Sequence, residues 1–348
     1  MAIEWLAGNR LRGTTAERPS VSLQSPSVGG WVELGRTTWA SGNSINVSSL
    51  PDKRYYMILN YSDSASNYNN VYRFNSDTGS NYAWRRSING GADSTSTSTT
   101  IIPSNSVSYD DFQFTTSYIA NLAGKEKLVI NHGTDASAVG VNAPDRNEIV
   151  GKWVNTTDPI DEITMTTTSA NYNLGEVVVL GWDPADTHTD NFWEELASVE
   201  LTSSGDQISS GTITAKKYLW IQVYVIPTGT VNSGIRFNSD QGSNYALRYS
   251  PNDAADATAS STSIGIESGS ITIPNFVNMF TINNASNEKL GWLHGVVQNT
   301  AGAGTATNRL EQAHKWANTS DQITQIDVDN FGAGSFDTGS ILKVWGAD

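Results

Sequence analysis

Arg146-x-Glu148 and Arg309-x-Glu311 set opposite charges two residues apart, so on a strand each pair shares one face. A retaining glycosidase needs two carboxyl groups about 5–5.5 Å apart across a cleft. Neither Glu148 nor Glu311 has a second acid at a spacing that recurs in the chain. The pairs therefore read as ion pairs at a sandwich edge or a subunit contact. His132 and His294 each follow a short apolar run. A general base needs a neighbouring nucleophile and an orienting acid, and the local sequence supplies no such pair, so both read as hydrogen-bonded structural histidines. Asp183, Asp186, His188 and Asp190 carry cation-binding groups, and the alternation at 186, 188 and 190 points three of them to one side of an extended chain. The set mixes oxygen donors suited to calcium with an imidazole suited to transition metals, and it does not recur; it reads as a solvated linker. Cysteine is absent, which excludes a thiol nucleophile, a disulfide framework and Cys-ligated zinc. No phosphate-cradling loop and no His-Glu-x-x-His is present. No catalytic residue, metal or cofactor is expected.

What must position these residues is a tandem repeat. Arg73-Phe74-Asn75-Ser76-Asp77-Thr78-Gly79-Ser80-Asn81-Tyr82-Ala83-Trp84-Arg85 returns at Arg236 to Arg248 with two changes, Thr78 to Gln241 and Trp84 to Leu247. Phe237 and Tyr245 thus answer Phe74 and Tyr82. Glu126-Lys127-Leu128 answers Glu288-Lys289-Leu290, His132 answers His294, Arg146 and Glu148 answer Arg309 and Glu311, and Lys152-Trp153 answers Lys315-Trp316, all at offsets of 162 to 164. That period is far longer than the roughly 20–50 residues of a solenoid repeat, so each copy is a domain with its own core. The first copy spans 30–183 and the second 193–348, joined by a short polar linker at 184–192. Residues 1–29 lie outside the repeat and read as an extended arm that docks on a neighbouring subunit or on its own chain.

Runs such as Arg54 to Asn60, Lys217 to Val225 and Glu176 to Leu180 are rich in aromatic and β-branched residues, and clusters of Gly, Ser, Asn and Asp separate them. No window of twelve or more residues shows a period of 3.6. The pattern predicts an all-β chain: two tandem jelly-roll-like antiparallel β-sandwiches of roughly eight strands each, the first and last strands of each copy close together. The Arg73–Arg85 segment reads as strand, turn, strand, a hairpin with Phe74 and Tyr82 as core anchors. Its polar residues admit two readings: a ligand-binding loop using Asn75, Asp77 and Asn81, or an Asx-type turn with Arg73 paired to a carboxylate. The Ser/Thr-rich runs from Gly90 and from Asp253 read as exposed loops. Trp153 and Trp316 recur and belong to the core, whereas Trp39 and Trp84 do not recur and are the candidates for stacking on a sugar.

Charged residues make up only 16% of the chain and the net charge is −14, so a nucleic-acid partner, which requires a basic footprint, is not expected. No run approaches 18 apolar residues and the N-terminus lacks a charged region followed by an apolar one, so neither membrane insertion nor secretion through a signal peptide is expected.

Ala7-Gly8-Asn9-Arg10-Leu11-Arg12-Gly13-Thr14, Gly29-Gly30-Trp31-Val32-Glu33-Leu34-Gly35-Arg36, Arg73-Phe74-Asn75-Ser76-Asp77 and Phe192-Trp193-Glu194-Glu195-Leu196 together resemble uncharacterised structural proteins of marine tailed phages and archaeal viruses, over nearly the whole chain. The resemblance implies a non-enzymatic virion component: a capsid shell or decoration protein, or part of a tail or fibre. It would be made in the host cytoplasm and carried in the particle, with copies of itself and other virion proteins as partners. The alternative is a lectin-like protein that attaches to host-surface glycans.

Overall fold

The structure, a computed structural model, describes residues 4–6, 10–12, 30–64, 66, 68–105, 112–167, 169–183, 191–252, 254–267, 269–298, 303 and 305–348. Most of the expected arm, most of the expected linker, and Asp186, His188 and Asp190 lie outside the described residues. Within the arm, β1 (Glu4–Leu6) pairs antiparallel with β2 (Arg10–Arg12).

Among the described residues every element is a β-strand. Repeat 1 holds β3 (Val32–Thr38), β4 (Ser44–Ser48), β5 (Tyr55–Ser64), β6 (Asn70–Phe74), β7 (Tyr82–Ile88), β8 (Ser94–Thr99), β9 (Ile102–Pro103), β10 (Gln113–Ala120), β11 (Lys127–Asp135), β12 (Asp145–Trp153), β13 (Glu162–Thr167) and β14 (Tyr172–Trp182). Repeat 2 holds β15 (Glu194–Glu200), β16 (Gln207–Ser209), β17 (Tyr218–Val225), β18 (Ser233–Phe237), β19 (Tyr245–Pro251), β20 (Ala257–Ser261), β21 (Ile264–Gly265), β22 (Asn275–Ile282), β23 (Lys289–Val297), β24 (Asn308–Trp316), β25 (Ile326–Asn330) and β26 (Ile341–Ala347).

In repeat 1 a large sheet runs β3-β14-β5-β10-β11-β12-β7-β8 and a small one runs β4-β13-β6-β9; repeat 2 copies both orders strand for strand. The chain alternates between the sheets in the jelly-roll manner, with the β10-β11-β12 meander standing where a single strand would complete the roll. The first and last strands of each repeat pair, β3 with β14 and β15 with β26. The small sheet alternates as one solvent face requires: β4 is buried only at Ile45 and Val47. In contrast, seven consecutive residues of β5, Tyr56 to Ser62, are buried. Tyr56 and Ile58 point into the sandwich core, while Met57, Leu59 and Tyr61 point out of it into a third apolar cluster.

Three sequence expectations change. Among the described residues each repeat has twelve strands where roughly eight were expected, because a hairpin (β7–β8, β19–β20) and a meander (β10–β12, β22–β24) widen the large sheet. Arg73 to Arg85 is no hairpin: β6 lies in the small sheet and β7 in the large one, so the segment crosses the sandwich. The Ser/Thr-rich runs are not loops throughout, since Ser94–Thr99 and Ala257–Ser261 form edge strands β8 and β20. Short polar side chains suit an exposed edge, which gives them no hydrophobic alternation to read.

Candidate functional site

The third apolar cluster joins the two repeats. Repeat 1 contributes Met57, Leu59, Tyr61, Phe112, Phe114, Ala136, Val178 and Leu180 from the outer face of its large sheet; repeat 2 contributes Trp193, Tyr218, Phe280, Ile282, Leu290, Trp292, Trp345 and Ala347 from the same face. Aromatic rings knit it: Trp220 stacks on Phe280 at 5.3 Å, Phe280 on Trp292 at 5.1 Å, and Trp193 meets Phe280 edge-on at 5.9 Å.

Polar groups seal the rim. Glu176 accepts from Tyr218 Oη and Lys217 Nζ, each at 2.8 Å, and these donors hold its carboxyl below the ordinary range despite burial, which pushes the other way. Lys315 is fully buried, pairs with Glu288 at 3.1 Å, and donates across the seam to the carbonyls of Ala136 and Ala138. Arg248 of repeat 2 donates to the Pro144 carbonyl and pairs with Asp145.

At the centre lie the residues whose spacing suggested chemistry. The ladders place His132 opposite Glu148 and His294 opposite Glu311, and the seam brings the two pairs together. Ligand atoms of Glu148, His294 and Glu311 lie within 4.8 Å of one another. Arg146 reaches all three nearby acids: Glu148 at 2.5 Å, Asp256 at 2.7 Å and Glu311 at 2.9 Å. Burial, with the neighbouring Glu311 adding to it against the pull of Arg146, pushes Glu148 up to about 7. Burial pushes His132 down to about 3, assisted by His294 and Arg146, and lowers His294 as well. The three-ligand set thus already has a fixed cation, Arg146, on both its carboxylates. It acts as a charge clasp across the seam.

The expected Arg146–Glu148 ion pair exists, but it lies at the contact between repeats and not at a sandwich edge. The histidines are held by ring packing: His132 lies 4.5 Å from His294 and 4.7 Å from Trp292.

The Arg73–Arg85 motif is geometry. Asp77 accepts from the Gly79 amide, the Asn81 amide group and Trp153 Nε1, the last at 2.7 Å. Asp240 repeats this with Gly242, Asn244 and Trp316. Asn75 binds backbone at Pro159, Asp161 and Glu162. Phe74, Tyr82, Phe237, Tyr245, Trp153 and Trp316 are buried anchors. Arg73 donates to the Thr100 carbonyl, whereas Arg236 pairs with Asp329 at 3.1 Å, so the expected carboxylate partner appears in repeat 2. Arg85 pairs with Asp93. Trp39 packs on the repeat 1 core and donates to the Gly42 carbonyl. Trp84 is half-buried, with the Arg86 guanidinium 4.8 Å over its ring, so one stacking face is taken.

Sequence reasoning missed the seam. Its signal was available: β5 and β14 carry apolar residues at consecutive positions, as strands buried on both faces do. Repeat 2 also carries Trp220, Trp292 and Trp345 where ladder positions of repeat 1 hold Met57, Ile130 and Leu180.

Two of the concavities on the surface bear on function. One is an apolar groove of about 410 Å³ on repeat 1, lined by Trp31, Tyr55, Tyr118, Leu128, Ile130 and Trp182 among others. The other, about 350 Å³, opens in repeat 2 between Leu247, Tyr249, Ser233, Glu267, Gln312 and Phe331. In it, Gln312 Nε2 and Ser233 Oγ are buried without a hydrogen-bond partner, and burial pushes Glu267 up to about 7.

No protein-family model matches the sequence, and no curated protein matches it. Among solved structures, the chain aligns with Neisserial surface protein A at 7% identity and a TM-score of 0.10, over 81% of this chain and 99% of that one. It aligns with Pseudomonas aeruginosa OccK5 at 8% identity and a TM-score of 0.12, over 86% and 98%. Scores this low carry no argument about fold or function.

Proposed function

We propose that this chain is a non-enzymatic structural subunit that assembles with copies of itself, a virion component of the shell, decoration or fibre class. The observation that carries the reading is the groove on repeat 1. Leu128 and Ile130 are 55% and 51% exposed beside Trp31, Tyr55, Tyr118 and Trp182, and contiguous apolar surface of this kind marks an interaction site. The large seam supports it, because it fixes two jelly rolls into one building block. The central acids and histidines support it too, since they are engaged with one another and with Arg146. The test is molar mass by light scattering across a concentration series, for the full chain and for a chain lacking residues 1–29. Defined oligomers are expected, with the arm strengthening them. A monomer at every concentration would sink the reading.

The repeat 2 cavity favours a second reading, recognition of a neutral polyhydroxyl ligand such as a glycan end. Hydrogen-bonding groups beside Tyr249 and Phe331 are the mixture a sugar requires. Glycan-array binding by the intact chain, lost on Tyr249→Ala and kept on Trp84→Ala, would support it; no binding at all would remove it.

A further inference from the structure

The seam joins unlike faces of two like domains. Ladder register fixes which residues correspond: Tyr61 sits opposite Phe114 as Tyr224 sits opposite Phe276, and Tyr118 opposite Ile130 as Phe280 opposite Trp292. Repeat 1 enters the seam through Tyr61, Phe114 and Ala136, flanked by Met57, Leu59 and Leu180; repeat 2 receives them with Trp193, Tyr218, Phe280, Leu290 and Trp292. In an exact twofold contact, both sets would be buried on both repeats. They are not. Tyr224 and Phe276, the repeat 2 counterparts of Tyr61 and Phe114, are 37% and 40% exposed. Trp31, Tyr55, Tyr118, Leu128 and Ile130, the repeat 1 counterparts of the receiving set, line the open groove.

The idle faces keep their aromatic anchors, while Gln222 and Lys343 stand on the repeat 2 face where repeat 1 has Leu59 and Val178. Tyr and Phe stand on the entering face in both repeats. On the receiving face, Trp193, Tyr218 and Leu290 correspond to Trp31, Tyr55 and Leu128. The polar border is preserved as well. Lys315 and Glu288, which grip repeat 1 inside the chain, have as counterparts the exposed pair Lys152–Glu126 at 2.8 Å. Arg146 and Asp256 correspond to Arg309 and Asp93, whose side chains are 51% and 48% exposed. Trp31 and Tyr118 also pack against the buried seam, so the groove continues an interface that already exists.

We propose that copies of this chain associate head to tail, the Tyr224–Phe276 face of one seating in the Trp31–Ile130 groove of the next. The histidine–glutamate centre stays within each chain; only the aromatic half of the contact is repeated between chains. This rests on the assembly reading above and adds the identity of the two faces. Unlike faces generate a closed ring or an open filament according to the rotation between copies.

The test uses the full chain with Phe276→Asp, which disables the entering face, and Ile130→Asp, which disables the groove. Both sites are at least 40% exposed, and circular dichroism checks that each variant is folded; Tyr224→Lys and Leu128→Lys serve as second choices. Sedimentation velocity is expected to show assembly for the unaltered chain and monomers for each variant alone. The equimolar mixture is expected to double in mass to a heterodimer and go no further, because one intact face remains on each partner. A mixture that stays monomeric overturns the pairing of unlike faces. Variants that assemble as well as the unaltered chain overturn the choice of faces while leaving the assembly reading in place. An unaltered chain that never assembles removes that reading and this one together.

Discussion

His132 and His294 hold the same place in the two repeats, and the fold brings them together edge to face, ring centroids 4.5 Å apart at an interplanar angle of 86°. Each stands across its ladder from a glutamate, Glu148 or Glu311. Duplicated residues that meet lie close to the axis relating the copies, so one ancestral His–Glu pair became a four-residue cluster. Arg146 of one copy pairs with both glutamates, while its counterpart Arg309 is half exposed.

That cluster makes stability depend on pH in two opposing ways. Glu148 rises from 4.5 to about 7 on folding. Between those values the folded protein keeps a proton that the unfolded chain has released, so its contribution is complete below 4.5 and is lost as pH rises through 7. His132 falls from 6.5 to about 3, so its contribution is complete above 6.5 and is lost as pH falls toward 3. Glu148→Gln removes the first effect and leaves His132 in place. The variant should melt higher than the unaltered protein at pH 8, with the difference shrinking toward zero at pH 5. Thermal melts at pH 5, 6.5 and 8 check it, and a difference that does not change with pH would be the contrary result.

Arg146 and Arg309 should respond unequally to the same substitution. Arg146→Met leaves Glu148, Glu311 and Asp256 clustered without their cation, and breaking a buried pair in this way costs about 3–5 kcal/mol. Arg309→Met removes a half-exposed side chain 3.4 Å from Glu311, where effects stay within about 0.5 kcal/mol. Urea midpoints of the two variants measure the contrast; equal losses would mean that the clasp does not hold the seam.

The same asymmetry shows what the sequence could reveal. Eleven matches in thirteen residues establish the duplication, and Phe74, Tyr82 and Trp153 are legible as core because aromatic residues kept in both copies must serve what both copies share. Two tandem sandwiches follow from strand periodicity. The crossing of Arg73 to Arg85 between sheets was hidden, because a turn after Phe74 looks the same whether the chain returns to its own sheet or enters the other. The meeting of His132 with His294 was hidden for another reason. Correspondence in sequence says which residues are alike and nothing about whether the domains place them in contact. Identical motifs read as two separate ion pairs until the seam joins them.

Trp292 and Ile130 test how much the seam contributes. They share a ladder position, but Trp292 is 4% exposed within the seam and Ile130 is 51% exposed in the groove. Trp292→Ala should cost about 3–5 kcal/mol, as truncation of a buried aromatic does. Ile130→Ala should cost about 0.5 kcal/mol or less when measured on the monomer at high dilution. A small loss at Trp292 would mean that the repeats are joined loosely.

Asp77 and Asp240 decide whether the repeated motif is scaffold. Each carboxylate accepts from a buried tryptophan, Trp153 at 2.7 Å and Trp316 at 2.8 Å, while holding a glycine amide and an asparagine side chain. These bonds outweigh burial and keep both carboxyls below the ordinary range. Asp77→Ala would strand the Trp153 N–H and free the turn, a loss of about 1–3 kcal/mol for the orphaned donor alone. Asp240→Ala should match it, because its geometry is the same, and the two losses should add, because the sites share no partner. Urea denaturation of both single variants and the double variant gives the three numbers. A loop kept for ligand contact would respond otherwise: Asp77→Ala would leave stability untouched and abolish binding, and that outcome would return Asn75, Asp77 and Asn81 to the surface chemistry of this protein.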